Sequence, residues 1–230
     1  MLPPTFRPLV VAAFTLLMVM AAPLSAATIH RGLGPEPDSL HIHQAQGLAA
    51  INLLRDLREG LVTFDVNGEP APGQAEAWQV LDDGRRYRFM LRADARWSNG
   101  DPVTADDFVR AWRRAFTPAT TAATVGLLKA VRNADDILAG RMEPAALGIR
   151  ADGPGVVEIE LNQAAPWLLE ILAHPVAFPL HVTAVEDPRK APVNGPFLVE
   201  EWTPRASIKL VRNPYYHAAA SVAPEVIIYH

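Results

Sequence analysis

Three pairs of polar residues have types and spacings that could support chemistry. His41 and His43, two residues apart, could give two imidazole ligands to a metal ion, and the pairs Asp82–Asp83 and Asp106–Asp107 could act as acid and base. No third metal ligand stands near the histidines, so a solvated pair in a loop is the favoured interpretation. Each aspartate pair has a role to fill in a turn or at a helix start, which favours a structural interpretation over catalysis.

Enzyme motifs are absent from the sequence. It contains no G-x-S-x-G, H-E-x-x-H or Walker loop, and Gly32 and Gly34 lack the third glycine and the following helix of a dinucleotide-binding fold. The net charge is -4 without a run of Lys or Arg, which disfavours a nucleic-acid partner. The absence of cysteine excludes disulfides and thiolate metal sites. We therefore expect a binding or structural protein without a cofactor, not an enzyme.

The first 27 residues have the pattern of a cleavable secretory signal. They contain Arg7, an uncharged apolar run from Leu9 to Ala22, and small residues at Ser25 and Ala27 where the cleavage motif needs them. Because the apolar run has roughly 14 residues and a membrane-spanning helix needs roughly 20, a membrane anchor is disfavoured. No cysteine follows, which excludes a lipid anchor. We expect export to the periplasm, a mature chain that begins near Thr28, and no stable membrane insertion after cleavage.

Turn residues divide the mature chain into short strands and helices, which predicts a mixed α/β fold. A strand begins at Thr28, and a helix with one apolar face follows and ends at Gly60. The residues of that face are Leu48, Ile51, Leu54 and Leu57. Strands flank turns at Asn67–Gly68 and Asp82–Gly84. Further on, "VVEIEL", "FLVEEW", "SIKLVRN" and "VIIY" are predicted strands, and "PWLLEILA" is a predicted short helix.

The segment from Leu91 to Trp112 has the most strongly specified local structure. Thr104 and Asp107 have the spacing of a capping box, which predicts a helix start directly after Thr104. The apolar residues of that helix recur on one face, and the arginines lie away from it. The face consists of Phe108, Ala111, Trp112, Ala115 and Phe116. We expect Trp97 and Trp112 to lie in the core.

Together these segments resemble family 5 of the solute-binding proteins, the oligopeptide- and dipeptide-binding components of ABC importers. The resemblance rests on "GPEPDSLHIH", "LREGLVTFDVNGEPAPGQAEAW", "YRFMLRADARWSNGDPVTADDFVRAWRRAFTP", "LGIRA", "VEIELNQAAPWLLEILAHP" and "NGPFLVEEW" with "IKLVRNPYY". It covers essentially all of residues 31–230 and is most specific between Ala75 and Trp112.

The resemblance implies a periplasmic-binding-protein-like α/β fold of type II, in which two lobes close around a peptide. It places residues 28–58 and 181–230 in a discontinuous ligand-contacting lobe and 59–180 in an extra inserted domain. Family members are more than twice as long, so the resemblance implies a truncated chain without the second lobe. The implied partners are a peptide ligand and the membrane permease and ATPase subunits of an ABC importer.

The implied ligand-binding residues are Gln46, Gly47 and Leu48, which align with the family's peptide-contacting strand and would pair with the peptide through their backbones. The sequence departs from the family at three places: His41–Ile42 replaces Asp-Pro, Thr124 stands where a ligand-facing tyrosine can occur, and the loop after Leu180 is short. Two alternatives remain open at this point. They are a family member that binds another solute, such as a nickel chelate or haem, and a non-binding structural or interaction paralogue.

Overall fold

In the computed structural model, residues 27–118, 120, 124–183 and 190–230 are described. Nearly all of the expected signal segment, residues 1–26, lies outside this part of the chain. The strands are β1 (Thr28–Arg31), β2 (Val62–Phe64), β3 (Pro70–Pro72), β4 (Ala75–Leu81), β5 (Arg86–Leu91), β6 (Ile149–Ala151), β7 (Val156–Glu160), β8 (Phe197–Thr203), β9 (Ser207–Arg212) and β10 (Val226–Tyr229). The helices are α1 (Leu48–Leu57), α2 (Ala105–Ala115), α3 (Ala134–Leu138) and α4 (Leu168–Leu172). The mixed α/β prediction is confirmed.

One mixed sheet joins the two ends of the described chain in the order β1-β10-β9-β8. Strands β1 and β10 pair in parallel, whereas β10, β9 and β8 pair antiparallel. The predicted hairpin of "FLVEEW" and "SIKLVRN" is therefore present as β8 and β9. Both edges, β1 and β8, are unpaired within the described residues.

The middle of the chain forms a β2-β3 hairpin and an antiparallel sheet in the order β4-β5-β7-β6. The predicted turns are present, since Gly68 and Gly84 have a φ of 83° and Asp82 and Asp83 a φ of 53°. These positive φ values are tolerated by Gly and by Asp in tight turns. The Asp82–Asp83 pair is thus a turn element.

The buried face of α1 differs from the predicted one. Leu48 is 72% exposed and Ile51 is half-buried, while Ala50, Leu53 and Leu54 are buried. The helix also ends at Leu57 rather than at Gly60. The reason is that α1 lies between two cores: Leu53 packs with the β1-β10-β9-β8 sheet, and Ala50 and Leu54 pack with the larger middle core. A helix buried on two sides does not show a single apolar stripe.

The start and the face of α2 match the prediction. Thr104 and Asp107 form the capping box, and Trp97 and Trp112 are both 0% exposed. The indole Nε1 of Trp97 donates to Asp107 Oδ2 at 3.1 Å, and that of Trp112 donates to the Ala177 carbonyl at 2.9 Å. Buried indoles with satisfied N–H groups are stable core elements.

Candidate functional site

The segment Gln46–Leu48 lies on the surface directly before and at the start of α1. It is not a strand: Gly47 is the N-cap of α1, and Leu48 is its first helical residue. All three residues are exposed.

Asp38 fixes the backbone of this segment. Its Oδ2 accepts hydrogen bonds from the amides of Gln46 at 3.0 Å and Gly47 at 3.1 Å. Desolvation raises the pKa of Asp38, but the hydrogen bonds from Gln46, Gly47 and Ser39 outweigh it and lower the pKa below its usual range. The amides of Gln46 and Gly47 are therefore not free to pair with a peptide. The expected main-chain pairing is limited to the other backbone groups of the segment.

Two backbone groups of the segment stay available. Among the described residues, no partner is found for the Gln46 carbonyl or for the Leu48 amide, whereas the Gly47 carbonyl accepts from the amide of Ile51 at 3.0 Å. In a parallel β-ladder, two groups of one strand hydrogen-bond to the same residue of the neighbouring strand. These are the carbonyl of residue i−1 and the amide of residue i+1. Gly47 has extended φ and ψ of -73° and 146°. The free Gln46 carbonyl and Leu48 amide on either side of Gly47 match the hydrogen-bonding pattern of a parallel strand.

The two histidines lie in the loop before this segment, and the expectation that both are solvated is wrong for His43. His43 is 1% exposed, and neither of its ring nitrogens has a hydrogen-bond partner. His41 is half-buried, and its Nδ1 accepts from the His43 amide at 3.2 Å. The described residues contain no group of three or more His, Cys, Asp or Glu side chains that could hold a metal ion.

Burial, followed by the charges of Arg114 and Arg58, lowers the pKa of His41 to about 4. For His43, burial is again the largest cause, followed by His41, Arg114 and Arg58, and its pKa falls to about 3. Both imidazoles are therefore neutral in the folded chain at pH 7. A neutral buried imidazole without partners is a core residue here.

This burial makes the stability of the chain depend on pH. Because the folded-state pKa of His43 is about 3 and the unfolded value is near 6.5, the unfolded chain binds more protons between these values. Stability is therefore full above about pH 6.5 and falls as the pH drops, by up to about 1.4 kcal/mol per pH unit from this residue. We expect urea unfolding at pH 7.5, 6 and 5 to show a shallower pH dependence in His43→Leu than in the parent. Parallel curves for the two proteins would contradict the neutral, buried assignment.

A second polar cluster, centred on Glu59, was not found from the sequence. Glu59 accepts hydrogen bonds from Gln74 Nε2 at 2.7 Å and Tyr216 Oη at 2.6 Å, and its Oε2 is 2.8 Å from His217 Nε2. Asn194 contacts the backbone of Glu59: the side-chain Nδ2 of Asn194 donates to the Glu59 carbonyl at 2.8 Å. The cluster joins the end of α1 to the segments around β8 and β9. The signal available in the sequence was a glutamate at the end of the predicted helix.

Close backbone approaches surround Glu59 and require glycine. A Cβ on Gly195 would lie 2.5 Å from the Arg58 nitrogen, and one on Gly60 would lie 2.3 Å from the Leu172 carbonyl oxygen. No side chain fits at such distances. The Glu59 cluster is consequently a tightly packed joint between the end of α1, the loop before β8 and the end of α4.

The other two places where the sequence departs from the family are Thr124 and the loop after Leu180. Thr124 is half-buried and precedes a short 3₁₀ turn over Val125–Leu128. After Leu180, His181 is buried and its Nε2 lies 2.9 Å from Asp101 Oδ2. The rest of that loop, residues 184–189, lies outside the described residues. Within the part of the chain that is described, no helix is long and apolar enough to cross a membrane.

Comparison with known proteins assigns the family. The profile of "Bacterial extracellular solute-binding proteins, family 5 Middle" matches residues 69–230. The chain belongs to this family. It is 35% identical over 233 residues to the "Probable deoxycholate-binding periplasmic protein YgiS" of Escherichia coli, covering 92% of this chain and 44% of that protein. It is 36% identical to the "Periplasmic oligopeptide-binding protein OppA" of Salmonella typhimurium, covering 88% of this chain and 39% of that protein.

The fold agrees with the same family. The crystal structure of Haemophilus influenzae OppA in complex with the peptide RPPGFSPFR has a TM-score of 0.85 and 33% identity to this chain, covering 89% of it and 42% of the OppA chain. The periplasmic-binding-protein-like fold is therefore confirmed. The chain spans less than half the length of these relatives, consistent with the N-terminal portion of such a protein. The relatives carry the names of binding proteins rather than of enzymes, in agreement with the expectation of a non-enzyme.

Proposed function

We propose that this chain provides the peptide-contacting part of a periplasmic solute-binding protein, which captures oligopeptides or dipeptides between two lobes and delivers them to the permease and ATPase of an ABC importer. The observation that carries the proposal is the pair of free backbone groups, the Gln46 carbonyl and the Leu48 amide, beside extended Gly47. Main-chain pairing gives a receptor affinity for peptides without dependence on their side chains. The peptide complex of the Haemophilus influenzae relative supports the ligand class.

In this proposal, residues 28–58 and 181–230 form the ligand-contacting lobe and residues 59–180 form the inserted domain. Two separate hydrophobic clusters support the division, one around the β1-β10-β9-β8 sheet and one in the middle of the chain. Helix α1 and the loop before it contribute to both, because Ile42, Ala45, Ala50 and Leu54 pack with the middle cluster. The two parts would therefore move together as one body when the lobes close. Calorimetric titration of peptides into the chain completed by a relative's C-terminal portion tests the binding function.

Export is part of the same proposal and has its own test. We expect mass spectrometry of the protein from a bacterial envelope fraction to find Thr28 or a neighbouring residue at the N-terminus, without a lipid. The reason is the charged start, apolar run and small residues of the first 27 positions. An intact Met1 on a cytoplasmic species would contradict export.

A further inference from the structure

A cavity of about 260 Å³ lies at the C-terminal end of α1, beside the Glu59 cluster. Its wall combines two arginines with apolar and aromatic groups. The lining includes Arg55, Arg58, Glu59, Phe64, Ala173, Phe178 and Tyr216. For scale, an apolar cavity of about 150 Å³ is large enough to bind benzene. The cavity at the end of α1 is therefore large enough for a ligand with one ring and a small polar group.

Arg58 is buried without a counter-ion. The residue is 4% exposed, its Nη1 has no hydrogen-bond partner, and within the described residues its guanidinium takes part in no ion pair. Burial lowers the pKa of Arg58 to about 10, so the side chain stays protonated at neutral pH. An unpaired buried cation is strongly unfavourable. A structure that keeps one is suited to bind an anion beside it.

The neighbours of Arg58 do not provide that anion. The Glu59 carboxylate is already bonded to Gln74, Tyr216 and His217. The guanidinium carbon of Arg58 lies 6.0 Å from the centre of the Trp97 ring, at the outer limit of a cation–π contact and without an acceptor for Nη1. The charges of Arg58 and Arg114 both act on the buried His43, so this neutral imidazole and the second arginine supply no anion either.

Arg55 adds a second cation to the same cavity. It forms no ion pair within the described residues, and its guanidinium carbon lies 5.7 Å from the centre of the Phe64 ring. Burial lowers its pKa as well. The wall thus presents two positive groups, Glu59, whose carboxylate is already hydrogen-bonded to Gln74, Tyr216 and His217, and apolar surfaces that include Phe178 and Ala173.

We propose that this cavity is a binding site for a small organic carboxylate with an apolar or aromatic body. The carboxylate would pair with Arg58, with Arg55 contributing, through charge-assisted hydrogen bonds. The apolar or aromatic part of the ligand would pack against Phe64, Ala173 and Phe178, and its transfer out of water would favour binding. The site is separate from Gln46–Leu48, so it does not depend on the peptide-binding proposal.

Benzoate and its neutral isostere benzamide test the site in the mature chain. Calorimetry and thermal melts should give benzoate a saturable Kd of about 1 mM or tighter, with benzamide weaker by at least about tenfold. Equal affinity for the two compounds, or no binding of benzoate at 10 mM, which is about ten times that Kd, would overturn the proposal. Phosphate binding as tightly as benzoate would overturn the assignment of an organic ligand.

Substitutions at Arg58 and at a control arginine test whether benzoate binds beside Arg58. Arg58→Met keeps the apolar stem and removes the unpaired charge, so it should abolish the benzoate-dependent rise in melting temperature while the melting temperature without benzoate is unchanged or higher. Arg205→Met, at an exposed arginine in the β8–β9 turn, is the matched control and should keep the benzoate response. If Arg58→Met fails to fold, Arg55→Gln should weaken benzoate binding by several-fold. Retained benzoate binding in Arg58→Met would contradict the proposal.

Discussion

The chain alone should bind a pool of di- to pentapeptides at millimolar affinity or more weakly, whereas the chain extended by a relative's C-terminal portion should bind about a thousandfold more tightly. In the proposed function, this chain offers the Gln46 carbonyl and the Leu48 amide, which have no partner among the described residues, to a peptide main chain. Two such hydrogen bonds contribute about 1 kcal/mol each net, which is far below the roughly 8 kcal/mol of micromolar binding. In the proposed function, contacts from a second lobe, and exclusion of water on closure, supply the remainder.

The comparison needs a fusion in which residues 1–230 are followed by the portion of Salmonella typhimurium OppA that this chain does not cover. Calorimetry with the same peptide pool gives both affinities, and size-exclusion chromatography establishes that each protein is monomeric. The exposed edge strands β1 and β8 make self-association of the shorter protein an expected competitor. A monodisperse monomer of the shorter chain that binds peptides at micromolar affinity would contradict this prediction.

Leu48→Pro in the extended chain tests the proposed backbone contact with the peptide. Leu48 is the first helical residue of α1, where proline is tolerated, and the extended φ and ψ of Gly47 suit a residue before proline. The substitution removes the free amide, so affinity should fall by roughly five- to tenfold, the equivalent of one hydrogen bond. Leu48→Ala removes the same exposed side chain but keeps the amide, and it is the matched control. An equal loss in both variants would point to the side chain instead.

Local sequence signals were sufficient for most secondary-structure elements. The capping box at Thr104, the turn at Asp82–Gly84 and the alternation in β5 and β9 are each determined by neighbouring residues, and each is present in the structure. The buried face of α1 was predicted wrongly because its environment is not local. Its small Ala50 faces the middle core, and Leu53 faces a sheet whose strands come from both ends of the chain.

The contacts of the candidate site also depend on residues that are distant in the sequence, and they were predicted less well than the secondary structure. The resemblance directed attention to Gln46–Leu48, but the sequence did not indicate that Asp38, nine residues before Gly47, occupies two of the three amides. The partners of Glu59 include His217, which is 158 residues away, so no spacing rule could have connected them. Likewise, the burial of His43 depends on the tertiary packing of the loop. Polar groups whose partners are distant in sequence become recognisable only when the hydrogen bonds are counted.

Trp112→Ala should lower the free energy of unfolding by roughly 3 to 5 kcal/mol, the usual range for truncating a fully buried aromatic side chain. Trp112 is 0% exposed on the inner face of α2, and its Nε1 donates to the Ala177 carbonyl. The substitution leaves a cavity and also removes the donor of a buried carbonyl, and both effects act in the same direction.

Urea unfolding of the mature chain measures this loss, with Trp167→Ala as the matched control. Trp167 is 50% exposed, so its truncation should cost about 1 kcal/mol or less. The contrast between two tryptophans tests the orientation of α2 rather than the general sensitivity of the protein to losing an aromatic ring. Equal unfolding curves for Trp112→Ala and the parent would mean that the apolar face of α2 does not pack against the segment around Ala177.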